Sequence, residues 1–157
     1  MRIVLRNYDK IDSLKIDDYI NAGGYKALEE ARSISPINLI EEIEKSGLRG
    51  RGGAGFNTGR KLRFTCDAPG EEKFILCNAD EGEPGTYKDR IILQSDPQAV
   101  LEGMAICGYA VGAKRGIIYL RAEYPYVADI LNTAISQAKE KDVLGDFQVE
   151  ICMGAGA

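Results

Sequence analysis

The sequence predicts an α/β fold: a Rossmann-like β-α-β-α-β unit with a mostly parallel sheet, preceded by a helical, glycine-rich N-terminal segment. Three observations carry that expectation. Short apolar runs alternate with longer helical stretches through the second half, which is the pattern of right-handed crossovers between parallel strands. Ser35-Pro36 and Asp96-Pro97 read as helix starts, with glycines as helix stops. The 157 residues suffice for one domain with one core. A single domain over 1–157 is therefore expected, with N-terminal helices and a glycine-rich loop over 1–64 and the β-α-β-α-β half over 73–157.

The elements follow in order. The alternation Arg2-Ile3-Val4-Leu5-Arg6 predicts one short strand. Gly24 to Arg32 predicts a short helix. A second helix starts at Ser35-Pro36, turns an apolar face of Ile37, Leu39, Ile40 and Ile43 inward, and stops at Gly47. Lys73 to Cys77 reads as a buried strand, and a polar loop, Asn78 to Asp89, follows it. Asp96-Pro97 starts a helix carried by Ala99 to Val111 and stopped at Gly112. Gly116 to Leu120 is the second strand. Pro125 opens a helix to about Lys141, and Phe147 to Cys152 is the third strand. Ligands of open parallel sheets bind beyond the carboxyl ends of the strands, where Asn78 and Met153-Gly154 lie.

Composition narrows the chemistry. There is no histidine, which excludes Ser-His-Asp and Cys-His catalysis and imidazole zinc sites. Cys66, Cys77, Cys107 and Cys152 are too far apart for C-x-x-C clustering, so four buried thiols in a reducing compartment are expected and no metal site. The chain opens without a signal-peptide pattern, and no apolar run nears the roughly 18 residues of a membrane span. A cytoplasmic protein without direct membrane insertion is expected. A pI near 5.0 argues against nucleic acid as a partner.

Glycine is the compositional outlier, and six of the 18 lie between Gly47 and Gly59. Gly50, Gly52 and Gly55 match G-x-G-x-x-G, but a helix and not a strand precedes them, so the dinucleotide fingerprint fails on context. The P-loop ending is absent too. Arg49, Arg51, Arg60, Lys61 and Arg63 nevertheless share this stretch with no acidic residue. Glycines let backbone N–H groups approach a ligand and form an anion nest, and the cations add charge. The stretch therefore reads as a phosphate or nucleotide loop, ahead of a solvated connector and of an arginine-glycine RNA-binding tail. The second cluster, Asn78-Ala79-Asp80-Glu81-Gly82-Glu83-Pro84-Gly85-Thr86, is open between an exposed acidic turn and a ligand loop. A magnesium site is a third option.

Taken together, Gly47 to Phe56 and Cys77 to Thr86 resemble one family, the NADH- and FMN-binding flavoprotein subunit of respiratory complex I. The same subunit type occurs in NAD-linked hydrogenases and formate dehydrogenases. Leu5-Arg6-Asn7, Gly23-Gly24-Tyr25, Lys88-Asp89-Arg90, Tyr119 to Pro125 and Gly154 to Ala157 also match, so the resemblance covers essentially the whole chain. It implies hydride transfer from NADH to FMN and electron delivery to iron–sulfur clusters of partner subunits. It implies that Gly50, Gly52, Gly53 and Ala54 lie against FMN and the dinucleotide, with Lys61 on the FMN phosphate. Asn78 and Asp80 would hold the flavin, Glu83 the nicotinamide ribose, and Phe56 and Phe64 the adenine. Arg51 and Glu81 complete the implied cofactor-binding set. No general acid or base is implied.

Asn57, Leu62 and Ala122 stand where the family usually has proline, an aromatic residue and glycine. In the family, Gly-Ala-Gly-Ala continues into a tyrosine and a Gly-Glu-Glu segment. An N-terminal fragment with little NADH-oxidising activity of its own is therefore expected, the [4Fe–4S] cluster belonging to the later part. The alternative is a non-catalytic assembly or partner-binding module that has lost part of the cofactor site.

Overall fold

The computed structural model describes residues 3–154. Four helices come first: α1 (Ile16–Asn21), α2 (Lys26–Arg32), α3 (Pro36–Lys45) and α4 (Thr58–Asp67). Then follow β1 (Phe74–Ala79), α5 (Lys88–Ser95), α6 (Pro97–Val111), β2 (Arg115–Arg121), α7 (Pro125–Glu140) and β3 (Gln148–Gly154). The strands form one sheet in the order β1-β2-β3, parallel throughout. The α/β expectation and the parallel sheet hold. The starts of the principal helices hold as well: Pro36, Pro97 and Pro125 each occupy a first helical turn. Ser35 caps α3 by accepting from the Asn38 backbone N–H at 3.3 Å.

Helices cover one face of the sheet. α6 packs on β1 and β2, and α7 on β3. Beneath them Leu101, Ile118, Leu120, Val127 and Leu131 are fully buried. A second cluster, built on Leu39, Ile40, Leu62, Ala110 and Val111, joins α3 and α4 to α6. The N-terminal helices are also tied to α6 by buried polar bonds. The Tyr19 hydroxyl donates to Glu102 and the Tyr25 hydroxyl to Gln98. The Asn7 amide donates to the Asp96 carboxylate at 2.7 Å. Burial pushes the Asp96 carboxyl upward, and the Asn7 bond opposes that shift.

Four expectations are corrected. No strand forms in the described part of residues 2–6, since residues 3–10 run as turns. The segment is drawn down by Asn7 onto Asp96 at the head of α6, and the sheet holds only the three later strands. β1 is not buried on both faces: Phe74 and Leu76 point away from the helices, and Leu76 is 66% exposed. An apolar run cannot reveal which of its faces is covered. Ile37 is exposed, because the inward face of α3 centres on Leu39 and Ile40. The cysteines are free, but Cys152 is exposed and the other three are half-buried. Burial raises the thiol pKa of Cys77 and Cys107, which keeps both protonated and unreactive. Among the described residues no helix is long and apolar enough to cross a membrane.

Candidate functional site

The glycine stretch leaves α3 and folds back on itself before α4. Its base is pinned by a bridge between Arg49 and Asn57. The Gly50 N–H donates to the Phe56 carbonyl at 2.8 Å, and the Thr58 N–H to the Leu48 carbonyl at 2.8 Å. Arg49 donates to the Gly55 carbonyl at 3.1 Å, which braces the loop at the surface. At the tip Gly53 and Gly55 have φ of 107° and 60°, a left-handed conformation that strains any side-chain-bearing residue. A Cβ built on Gly52, Gly53 or Gly55 meets nothing within 4 Å. The loop thus presents bare backbone to open space, beside a hollow of ≈ 660 Å³ lined by Ser46, Leu48, Arg49, Arg51 and Gly55.

The cationic tail of this stretch is helical, which its composition does not reveal. Asn57 explains how α4 begins: its side chain accepts from the Arg60 N–H at 2.9 Å. The proline usual in the family could not make that bond. Leu62, at the other unusual position, packs in the second core cluster. Gly59 sits in the first turn of α4 directly against the Glu44 backbone of α3, so the two helices lock and fix the loop between them. Arg63 pairs with Glu44 at 3.3 Å. Arg51, Arg60 and Lys61 are exposed and make no ion pair among the described residues. Phe56 and Phe64, both exposed, come together with ring centroids 6.1 Å apart. Ala54 is exposed at the loop tip.

The acidic loop leaves the carboxyl end of β1, where parallel sheets place ligands. Its residues do different things. The Glu81 carboxylate is buried and turned inward. It accepts from the Asp89 N–H at 2.8 Å and the Arg90 N–H at 3.3 Å, and lies 3.5 Å from the Arg90 guanidinium. Glu81 therefore caps α5 from outside the helix, the favourable place for a negative charge. Its carbonyl oxygen is held by Arg121 at 3.1 Å and by the Tyr124 hydroxyl at 3.5 Å. Arg90 lies over the Tyr124 ring at 4.8 Å. This clamp leaves Glu83 exposed at the outer turn. Asn78 is exposed and its amide oxygen accepts from the Asp80 N–H at 3.1 Å. One Asp80 oxygen, Oδ1, is buried and has no hydrogen-bond partner among the described residues.

The structure gathers the named residues into two groups. Gly50, Arg51, Gly52, Gly53, Ala54, Phe56, Lys61 and Phe64 belong to the glycine loop and α4. Asn78, Asp80, Glu81 and Glu83 belong to the end of β1 and its loop. Among the described residues no hydrogen bond or ion pair joins the groups. Ala155, Gly156 and Ala157 lie outside the described residues. Arg121, Tyr124 and Arg90 hold the acidic loop, although the sequence does not mark them as site residues. The position of Arg121, last in a parallel strand, is the one available signal. Asp80, Glu81 and Glu83 do not form a metal-holding group, nor does any other set among the described residues. Another hollow, of ≈ 520 Å³ between α7 and β3, near Ile135, Leu144 and Phe147, contains none of the named residues.

Comparisons with known proteins agree on one kinship. The profile of a family described as the Nuo51 FMN-binding domain matches residues 43–157. The chain is 47% identical to a subunit of the NADH-quinone oxidoreductase of Aquifex aeolicus, over 100% of this chain and 38% of that protein. It is 45% identical to HndC, a subunit of the NADP-reducing hydrogenase of Solidesulfovibrio fructosivorans, over 100% of this chain and 34% of that one. A crystal structure of an air-oxidized NAD+-reducing [NiFe]-hydrogenase superposes with a TM-score of 0.78 at 36% identity. That match covers 100% of this chain and 25% of the hydrogenase chain. The chain thus spans well under half the length of these relatives.

Proposed function

The chain belongs to the Nuo51 FMN-binding domain family, and from that premise we propose that it builds the FMN- and NADH-facing part of an oxidoreductase subunit. The subunit takes hydride from NADH and passes electrons to iron–sulfur partner subunits, in a complex whose nucleotide site faces the cytoplasm. The observation that carries this reading is the glycine hairpin: backbone at Gly52, Gly53 and Gly55 with open space around it, and Arg51 and Lys61 beside it, which make no ion pair among the described residues.

The residues present fit FMN. A ring or phosphate can approach Gly52 and Gly53 without meeting a side chain. Lys61 supplies a point charge for the phosphate. Asp80 Oδ1 is a buried acceptor that lacks a donor among the described residues, and an unpaired buried acceptor is costly until something satisfies it. Ribityl hydroxyls or a flavin N–H supply such donors. FMN, when bound, accepts two electrons as hydride and releases them singly. Everything else asked of this chain is positioning. The loop fixes the phosphate, Asp80 and Asn78 fix the ribityl or ring edge, and Glu83 offers a carboxylate to a ribose diol. Glu81 holds the acidic loop in place through α5, Arg121 and Tyr124. No proton donor is required at the reacting carbon, in keeping with a site without histidine.

Phosphate recognition separates this function from a non-catalytic assembly role. In the full-length protein, FMN is expected to bind far more tightly than riboflavin, which has the same ring and no phosphate. Lys61→Ala is expected to weaken FMN on the order of 10- to 100-fold, the worth of a charge-assisted hydrogen bond, and to leave riboflavin unmoved. Calorimetric titration with both flavins reads this directly. Equal affinity for FMN and riboflavin would remove the phosphate from the loop.

A further inference from the structure

We propose that Arg121 is a positioning residue for the flavin: its bond to the Glu81 carbonyl sets the direction in which the Asp80 carboxylate faces. The inference rests on the flavin reading above and adds to it a residue that acts through another.

Arg121 is the last residue of β2, at the end of the sheet where parallel strands place ligands. The turn after it is tied to β3, because the Ala122 N–H donates to the Gly154 carbonyl at 3.1 Å. The Tyr124 N–H closes that turn on the Arg121 carbonyl at 3.0 Å. The side chain is then aimed by a fork. Its Nε and Nη2 donate to the two Glu123 carboxylate oxygens at 2.9 and 3.0 Å, a pairing that fixes the plane of the guanidinium. Glu123 is exposed, so the fork orients more than it stabilises. The remaining nitrogen, Nη1, reaches over to the loop after β1 and donates to the Glu81 carbonyl at 3.1 Å. Arg121 thereby joins the ends of β1, β2 and β3.

Gly82 makes room for that reach. A Cβ at residue 82 would lie 2.8 Å from Arg121 Nη1 and, chain neighbours aside, meets no other atom within 4 Å among the described residues. Asp80 sits between two fixed points. Its N–H donates to Asn78 Oδ1 at 3.1 Å. On its other side Glu81 is anchored twice, through its carboxylate by the first N–H groups of α5 and through its carbonyl by Arg121. With both flanks held, the Asp80 side chain leaves the backbone in one direction, and its Oδ1 is buried without a partner among the described residues. Glu123 above all holds the Arg121 pKa above its ordinary value, and the Asp80 carboxylate adds to that, so the two groups feel each other across the loop. Without the Arg121 donor the Glu81 carbonyl keeps only the 3.5 Å contact with the Tyr124 hydroxyl. A carbonyl left short of a partner turns toward water, and Asp80 turns with it.

The test is a calorimetric titration of the full-length protein with FMN and with riboflavin. Arg121→Met is expected to weaken both flavins by the same factor, roughly tenfold, because Asp80 faces a part that the two flavins share. Arg121→Lys keeps a donor and should regain most of that affinity. The decisive comparison repeats Arg121→Met in an Asp80→Asn background, where it should cost no more than about twofold, since the residue it acts through is already impaired. Gly82→Ala is the second probe. Its methyl group displaces the flexible guanidinium tip without straining the backbone, as Gly82 lies outside the left-handed region. It should weaken both flavins, and again only while Asp80 is intact, which keeps the comparison open if Arg121→Met does not fold. Losses that are fully additive with Asp80→Asn would overturn the proposal. A loss confined to FMN would also overturn it, by placing Arg121 on the phosphate. Wild-type protein that binds neither flavin would overturn the flavin reading itself, a result distinct from either of these.

Discussion

Replacing Gly59 by alanine is expected to destabilise the protein by about 1–3 kcal/mol or more, although alanine is the better helix former by about 0.8–1.0 kcal/mol. The sign is decided by packing. A Cβ at residue 59 would lie 2.3 Å from the Glu44 nitrogen and 2.4 Å from the Glu44 Cα. Those are main-chain atoms in the last turn of α3, and they cannot swing aside as a side-chain tip could. The first turn of α4 must move away from α3, and it carries Arg60 and Lys61 with it, while Phe64 follows a turn later. Chemical denaturation should show the loss of stability, and flavin affinity should fall with it. A stabilised Gly59→Ala protein would mean that α4 does not sit on α3, and that the base of the glycine hairpin is not where it is described.

The second large effect falls on binding and spares stability. Gly52 is not in the left-handed region, and a methyl group there meets nothing within 4 Å. Gly52→Ala should therefore change the stability of the unliganded protein by no more than about 0.5 kcal/mol, with any gain coming from a less flexible unfolded chain. If a cofactor lies against this backbone, the same methyl group occupies its space, and FMN affinity should fall at least roughly tenfold, since overpacking a fitted contact costs on the order of 1–3 kcal/mol. Gly53 is a poorer probe, because its φ of 107° would strain an alanine with or without ligand. Parallel thermal melts and FMN titrations of Gly52→Ala separate the two effects. Unchanged FMN affinity would leave the open space above the hairpin without an occupant.

Much of this architecture is legible in local pattern. β2, β3, α3, α6 and α7 each have a length, a period or a proline start that a short window reveals. What the sequence hides is what depends on distant partners. α4 and α5 are short and polar, burying little beyond Gly59, Leu62 and Leu93, so neither has a strong hydrophobic stripe. The cap of α5 is supplied by Glu81, eight residues before Asp89, outside the reach of any capping-box spacing. The alternation at the N-terminus looks like a strand only until Asn7 is seen to bond Asp96, on the far side of the sequence.

The site divides in the same way. The glycine stretch suggests an anion loop in the sequence because backbone freedom and local charge are both properties of neighbouring residues. The acidic loop is not readable as a unit. Glu81, Glu83 and Asp80 look alike in sequence, yet one is a buried cap, one is exposed, and one carries an oxygen with no partner among the described residues. Strand register decides this, since it brings Arg121 of β2 to the Glu81 carbonyl. Phe56 and Phe64 become neighbours only once the hairpin and α4 bring them together.

The most direct measurement is an anaerobic titration of the FMN-loaded, full-length protein with NADH, followed through the visible absorption of the flavin. Stoichiometric bleaching by NADH, reversed by an artificial electron acceptor, is the expected result. Bound FMN that stays oxidised in excess NADH would contradict hydride transfer at this site.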